Sequence, residues 1–175
     1  MQQDSLLVQT KQLELLETRN NEEKEMVIVP AKRINIVKIK LVREKTMLYK
    51  NRQIRSPRDG YELIRDFLGD VDREHFIVLC LDTKNQPTCL QVVHIGCLNS
   101  SIVHPREVLK PALLSNAASI IVAHNHPSDV SDPSSEDIAV TKRINQASKI
   151  IGIELLDHLI ICSNSFYSLK EAGHL

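Results

Sequence analysis

The sequence predicts an α/β fold, a single domain in which helices flank both sides of a mixed, mostly antiparallel sheet. Two neighbouring apolar runs at residues 74–81 and 88–95 are joined by a short polar turn, which predicts a β-hairpin. Apolar stripes at helical spacing in residues 57–68, 105–113 and 137–151 predict three helices. Strand-like runs alternate with these helical segments, and that alternation is typical of a sheet covered on both faces.

Composition places the chain among ordinary folded domains. Of its 175 residues, 42% are hydrophobic and 25% charged, enough for one domain with a buried core. No apolar run approaches the roughly 20 residues of a membrane span, and the polar N-terminus does not resemble a signal peptide. We therefore expect a cytoplasmic protein that does not enter a membrane. The four cysteines lack CxxC spacing and are expected to be reduced thiols.

The N-terminal region differs from the rest of the chain. Residues 1–30 are acidic and polar, and we expect a peripheral segment that is flexible or binds a partner, ahead of a domain at residues 32–175. Residues 31–58 contain ten Lys or Arg and a single acid, Glu44. This excess has two interpretations. It indicates either a surface that binds nucleic acid or an acidic partner, or a solvent-exposed strand edge whose lysines discourage pairing with other strands. Apolar residues alternate with lysines between Ile34 and Leu41, with one phase slip, which predicts a strand.

Local signals define the first elements of the expected domain. Ser56 at the N-cap and Pro57 at the first helical position open a helix, and Gly69 suits its C-terminal end. The run 74–81 is almost continuously apolar, as in a central strand. The residues Asp82–Asn85 form the expected hairpin turn. The following helix starts near Pro105.

The second half continues the alternation. An apolar run at residues 117–122, which leads into the two histidines, predicts a strand, and the helix after it ends at about Ile151 with Gly152 as its cap. Residues 155–162 predict another strand, and residues 166–172 a short closing turn or helix.

A metal centre is expected where the 117–126 strand ends. His124 and His126 are two residues apart, so they point to the same face of an extended chain. Asp137 lies three residues before Val140, at the top of the inward stripe of the next helix, and an inward-pointing acid needs a partner. Two imidazoles and a carboxylate form a three-ligand zinc set with a fourth position open to water. The sequence therefore predicts a catalytic metal centre rather than a structural one.

Ser134 has two interpretations. The spacing Ser134-x-x-Asp137 is a capping box, which is a common helix start without catalytic meaning. A cap alone leaves the two same-facing histidines unexplained. Both roles can coexist if Ser134 begins the helix and its hydroxyl also faces the metal.

The spacing from His124 to Asp137 also carries a family resemblance. His-x-His, seven residues, Ser, two residues and Asp match without a gap the signature of JAMM (MPN+) metalloproteases. The run from Pro105 to His158 is similar to the RadC-like branch of this JAB-domain superfamily in bacteria, and the similarity covers roughly residues 50–175. The resemblance implies a single JAB/MPN-like domain with protein or peptide as its substrate.

The resemblance also implies roles for individual residues. A zinc ion (Zn2+) is held by His124, His126 and Asp137, with water as the fourth ligand. A glutamate ahead of the first core strand serves as general base, and Glu74 occupies that place. The hydroxyl of Ser134 donates a hydrogen bond to the developing oxyanion.

Other positions are weaker candidates for the site. Glu107 and Glu154 are poorer matches to the expected base, since one lies at a helix start and the other just before a strand. His158 follows an acid in an apolar strand and is either a core histidine or a support for a metal ligand. Asp129 stands where the RadC-like branch usually has Gly, and the first 50 residues lack the Gly-rich helix-hairpin-helix module usual in that branch.

Three functions are therefore compared. The favoured one is a zinc-dependent metallopeptidase that hydrolyses peptide or isopeptide bonds. The alternatives are a DNA-associated accessory protein, in repair or in a mobile element, that uses the basic residues 31–58, and a non-catalytic interaction module. The intact ligand set argues against the last. The sequence leaves the substrate, the oligomeric state and the role of residues 1–30 open.

Overall fold

The computed structural model describes residues 34–96 and 103–175. The chain divides into two compact units, Met1–Lys38 and Ile39–Leu175. Every helix and strand described below belongs to the second unit. The prediction for residues 1–30 falls outside the described residues. No helix among the described residues has both the length and the apolarity needed to cross a bilayer.

Three helices and five strands form the described fold. The helices are α1 (Pro57–Leu68), α2 (Pro105–Leu114) and α3 (Ser135–Ile151), and the strands are β1 (His75–Leu81), β2 (Pro87–Ile95), β3 (Ser119–Asn125), β4 (Glu154–Ile161) and β5 (Phe166–Ser168).

The strands form one mixed sheet in the order β2-β1-β3-β4-β5. Only the β3–β4 pair is parallel, and the other three pairs are antiparallel. Phe76 pairs with His124, and His124 with Ile160 on the other side. The start of β1 and the C-terminal ends of β3 and β4 therefore lie at the same end of the sheet, which we call the site rim. The prediction of a mixed, mostly antiparallel sheet is confirmed.

Helices cover both faces of this sheet, as predicted. Alternate residues of β1 enter two separate cores. Phe76, Val78 and Cys80 share one core with residues of α2 and α3. Ile77 and Leu79 share the other with residues of α1. The His124 face of β3 belongs to the first core, so α3 lies over the histidines.

The expected helix ends are present at α1 and α3. Ser56 caps α1 by accepting a hydrogen bond from the Asp59 amide, and the Asp59 carboxylate accepts one from the Ser56 amide in return. Gly152 follows α3 with φ of 80°, a left-handed conformation that glycine adopts without steric cost.

Residues 34–49 contradict the predicted strand. They form neither helix nor strand, and Ile36 is 99% exposed while Ile39 is 71% exposed. Alternation predicts a strand only where one face is buried or a partner strand is available. The interpretation as a strand edge therefore fails. The basic side chains of Lys38 and Lys40 are exposed, and the nucleic-acid footprint stays a prediction.

The prediction for residues 166–172 is wrong in its first half. Residues Phe166–Ser168 form β5, which pairs with β4, and a turn follows from Leu169. Three residues are too few for a period-2 pattern to be recognised, and the strand exists because β4 offers an open edge. Cys80, Cys89 and Cys162 are free thiols, while Cys97 lies outside the described residues.

Candidate metal centre

The two histidines of the predicted set lie together at the site rim. His124 is completely buried near the end of β3. The amide of His126 donates to the carbonyl of Ile161 at 3.1 Å, which extends the pairing with β4 by one step beyond β3. Both rings therefore project from the same face of an extended backbone, and their Nε2 atoms are 2.9 Å apart.

Asp137 reaches the histidines from the first turn of α3. The amide and the hydroxyl of Ser134 donate to Oδ2 of Asp137 at 2.8 and 2.7 Å, so that oxygen is occupied by the helix cap. Oδ1 lies 3.2 Å from Nε2 of His124. The capping box therefore orients the carboxylate so that its other oxygen points at the histidines. The capping interpretation of Ser134 is confirmed, and the role of its hydroxyl towards a metal stays a prediction.

The hydrogen bonds of His126 define its tautomer. Its Nδ1 lies 2.5 Å from the carbonyl oxygen of Val130. A carbonyl only accepts, so Nδ1 carries the proton and donates it. In the neutral ring, Nε2 of His126 is then a bare lone pair directed at His124 and Asp137.

A relay of three side chains defines the tautomer of His124. The hydroxyl of Thr141 donates to the carbonyl of Asp137 at 2.5 Å, so its oxygen accepts from Nδ1 of His158, also at 2.5 Å. Nε2 of His158 then accepts from Nδ1 of His124 at 2.8 Å. Burial lowers the pKa of His158 well below its usual range, which keeps that ring neutral as the relay requires. Nε2 of His124 is therefore a second bare lone pair.

Three acceptors thus converge without a hydrogen atom between them. The ligand atoms of His124, His126 and Asp137 all lie within 4.8 Å of one another. Nε2 of His124 lies 2.9 Å from Nε2 of His126 and 3.2 Å from Oδ1 of Asp137, similar to the edges of about 3.3 Å in a tetrahedron with metal–ligand distances of about 2.0–2.1 Å. Such a group is repulsive unless a cation lies at its centre. The residues present fit a metal ion.

The pKa shifts at the site also show that the three converging acceptors favour a positive charge beside them. Burial pushes the pKa of Asp137 up, but the hydrogen bonds that His124 and His126 donate to it once their Nε2 atoms are protonated outweigh this effect, and the pKa lies well below its usual range. The same bond to Asp137, formed when His126 takes up a proton, raises the pKa of His126, and burial only partly opposes it. A proton on His126 is the natural substitute for the metal ion in its absence.

Glu74 also lies at the site rim, immediately before β1. Continuing the register of Phe76 and His124 by two residues places Glu74 opposite His126, on the same face of the sheet. Its negative charge contributes to the raised pKa of His126. The backbone carbonyl of Glu74 accepts from the Gly96 amide at 2.9 Å. The strand register therefore places Glu74 at the same end and on the same face of the sheet as the three acceptors.

The two other glutamates are unsuited to the same role. Glu107 is paired with Lys110 at 2.7 Å, and its side chain is 43% exposed. Glu154 begins β4 and pairs with Ser119, at the end of the sheet opposite the site rim. Neither carboxylate is placed to serve the three acceptors.

Thr141 is a site residue that the sequence reasoning missed. It lies four residues after Asp137, which places both on one face of α3, and it is completely buried. The signal available in the sequence was a hydroxyl four residues, about one helical turn, after a candidate ligand. Its connection to His124 through His158 depends on β4, and the sequence does not show it.

Replacing Thr141 by Val should weaken metal binding by about 10- to 100-fold, the usual cost of losing a partner of a metal-ligating histidine. Valine has nearly the same shape but leaves Nδ1 of His158 without its acceptor, so the tautomer of His124 is no longer fixed. Competition against a chromogenic chelator measures the affinity. Ser148→Ala is the matched control, because Ser148 is buried on α3 and its hydroxyl has no partner among the described residues. Equal affinities in both variants would show that the relay does not control the ligand.

Comparison with known proteins adds a family to this geometry. A family model for the RadC-like JAB domain matches residues 54–174. A UPF0758 protein of Desulforamulus reducens is 53% identical over 120 residues, which cover 69% of this chain and 53% of that protein. The UPF0758 protein YsxA of Bacillus subtilis is 54% identical over 122 residues, covering 70% and 53%. A UPF0758 protein of Bacillus cereus is 54% identical over 128 residues, covering 73% and 57%.

The chain spans about half the length of these curated relatives. The matched part contains the whole sheet, the three described helices and the three converging acceptors. The names of the relatives state no activity.

Proposed function

The chain belongs to the RadC-like JAB domain family, and from this membership and its metal centre we propose that it is a zinc-dependent metallopeptidase that hydrolyses peptide or isopeptide bonds. One observation carries the proposal. Two bare imidazole nitrogens and a carboxylate oxygen converge at a rim where a further carboxylate, that of Glu74, is also present. Ligands and base are the parts that metal-assisted hydrolysis requires.

The donor set favours zinc over other cations. Zinc accepts imidazole and carboxylate ligands in a tetrahedron, and three protein ligands leave one position open for chemistry. Calcium and magnesium prefer oxygen ligands alone, and two of the three donors here are nitrogens. The proposed ligands are His124, His126 and Asp137.

The chain's own residues supply the remaining steps. Zinc, when bound, would polarise the scissile carbonyl and lower the pKa of a water molecule to about 7. Glu74 would accept the proton of the attacking water and deliver it to the leaving amine, a role worth about 10²- to 10⁴-fold in rate. His158 and Thr141 would hold His124 in the tautomer that offers Nε2.

Ser134 is proposed as a hydrogen-bond donor to the oxyanion of the tetrahedral intermediate. In the structure its hydroxyl donates to Oδ2 of Asp137 and its oxygen accepts from the Asp137 amide at 3.1 Å. Donation to an oxyanion therefore requires the hydroxyl to turn away from Oδ2. The amide of Ser134 still donates to Oδ2 at 2.8 Å, so the carboxylate keeps its orientation during that turn.

Metal-dependent hydrolysis is the direct test. The probe is a mixture of quenched fluorogenic peptides and of isopeptides joined through a lysine ε-amine, with products identified by mass spectrometry. We expect cleavage that a chelator abolishes and that added zinc restores, while added magnesium does not restore it. Cleavage that persists in the chelator, or no cleavage by the zinc-loaded chain, would contradict the proposal.

A further inference from the structure

Asn125 lies between the two histidines and makes contacts that neither of them makes. Because side chains alternate along a strand, it points away from the metal centre, and it is only 7% exposed. Its Oδ1 accepts from the amide of His75 at 2.8 Å, and its Nδ2 donates to the carbonyl of Arg73 at 3.1 Å. The two bonded backbone groups belong to the residues on either side of Glu74.

The orientation of this amide follows from its partners. The His75 N–H only donates and the Arg73 carbonyl only accepts, so oxygen and nitrogen cannot be exchanged. Aspartate at position 125 would accept from His75 but could not donate to Arg73. The two hydrogen bonds from Asn125 to His75 and Arg73, which we call the bracket, therefore require a side-chain amide.

The bracket acts where the backbone pairing of β1 with β3 ends. Phe76 and His124 are the last paired residues. At the next position of β1, the His75 N–H donates to the side chain of Asn125 instead of to the backbone of β3. On the other side, the Gly96 amide holds the carbonyl of Glu74 at 2.9 Å. Glu74 is thus fixed from both neighbouring strands.

We propose that Asn125 is a positioning residue that holds the general base Glu74 against the metal centre, an inference that rests on the proposed hydrolysis. A base acts only within hydrogen-bond reach of the proton it removes, and a misplacement of about 1 Å can cost about 100-fold in rate. The same strand end carries the metal ligands, so the bracket fixes base and ligands relative to one another.

The metal ligands do not depend on this bracket for their own position. The backbone of His124 pairs with Phe76 and Ile160, and the His126 amide donates to the carbonyl of Ile161. Loss of the Asn125 side chain leaves these contacts in place. Loss of the Asn125 side chain should therefore disturb the position of Glu74 and leave the zinc affinity unchanged.

Asn125→Ala, assayed on the zinc-loaded chain with the peptide and isopeptide mixture described above, should lower kcat by about 10- to 100-fold. KM and zinc affinity should each change by less than about threefold, because Asn125 contacts neither substrate nor metal. Thr88→Val is the matched control. It removes a side-chain bond to the β1 backbone, the one from Thr88 to the Cys80 carbonyl, far from the site rim, and should leave kcat unchanged.

A double-mutant cycle separates positioning from general damage. If Asn125 acts through Glu74, then Asn125→Ala should slow Glu74→Gln by no more than about threefold. Losses that multiply would overturn the inference. Melting temperatures of Asn125→Ala and Thr88→Val guard against misfolding, because each variant loses side-chain bonds to the backbone without gaining a buried charge, and at similar melting temperatures kcat should fall only in Asn125→Ala.

The outcomes distinguish this inference from the proposed function. Full kcat in Asn125→Ala beside an inactive Glu74→Gln would overturn the role of Asn125 alone. Absence of zinc-dependent cleavage by the unmutated chain would overturn the proposed function and the role of Asn125 with it. A loss of zinc affinity in Asn125→Ala equal to its loss of kcat would assign Asn125 to the metal ligands instead.

Discussion

Replacing Glu74 by Gln is expected to reduce turnover by about 10²- to 10⁴-fold while the metal ion stays bound. Glutamine has the size of glutamate but accepts no proton at neutral pH, so the attacking water loses its base. The three converging acceptors do not include Glu74, so metal affinity should stay within a few-fold of the unmutated chain. Steady-state kinetics on the peptide and isopeptide mixture, together with metal content measured on the same sample, tests both statements.

The control for this substitution is Glu154→Gln. Glu154 is likewise a glutamate at the start of a core strand, but it is exposed, whereas Glu74 is half-buried, and it begins β4 at the end of the sheet opposite the site rim. Its replacement should leave kcat unchanged. Undiminished kcat in Glu74→Gln would remove Glu74 as the base and leave the metal centre untouched. A loss of metal in that variant would make Glu74 a ligand rather than a base.

Replacing His126 by Ala is expected to weaken zinc binding by at least about 100-fold, because one of three protein ligands is lost. His126 suits this test better than His124, which is completely buried and hydrogen-bonded to His158. The His126 side chain is 14% exposed, so its removal leaves the core packed. Zinc at 100 times its dissociation constant should stabilise the unmutated chain by about 2.7 kcal/mol. His126→Ala should show almost none of this stabilisation.

Thermal melts with and without added zinc measure the difference. His104→Ala is the control, since His104 is exposed at the start of α2 and makes no side-chain cap bond among the described residues. It should keep the full zinc-induced shift. If His126→Ala keeps that shift as well, His126 is not a ligand and the convergence of acceptors has another cause.

Local chemistry explains why much of the fold could be predicted. The capping boxes at Ser56 and Ser134 depend on residues three apart, so the sequence shows them directly. The inward position of Asp137 follows from helical phase alone. The strand predicted from Ile34 to Leu41 failed because alternation does not show whether a burying surface exists.

Parts of the site depend on register between distant segments. Glu74 reaches the histidines only because β1 and β3 pair in one register, and resemblance to a family, not its own neighbourhood, singled it out. The hydrogen bonds of Asn125 to His75 and Arg73 join residues 50 and 52 positions apart, and the bond between His124 and His158 joins residues 34 positions apart. No local pattern encodes such contacts.

Asp129 illustrates a departure that the structure explains. The sequence resemblance predicts Gly at this position, and the φ of 61° at Asp129 is the left-handed conformation that favours glycine. Asp is among the residues that tolerate this region. Its carboxylate accepts from the amide of Ser163 at 2.6 Å, which ties the loop between the ligands to the connection between β4 and β5. The tether offsets part of the cost of the strained backbone.

The mixed strand order also has a practical consequence. Every residue assigned to the chemistry lies at the site rim or one helical turn below it, whereas the hairpin turn around Lys84 lies at the opposite end of β1. Lys84 is exposed, and its backbone amide is held by Asp82. A dye or a solid support coupled there would be separated from the site rim by the length of β1. Lys84 is therefore a suitable attachment point for single-molecule or surface-based assays.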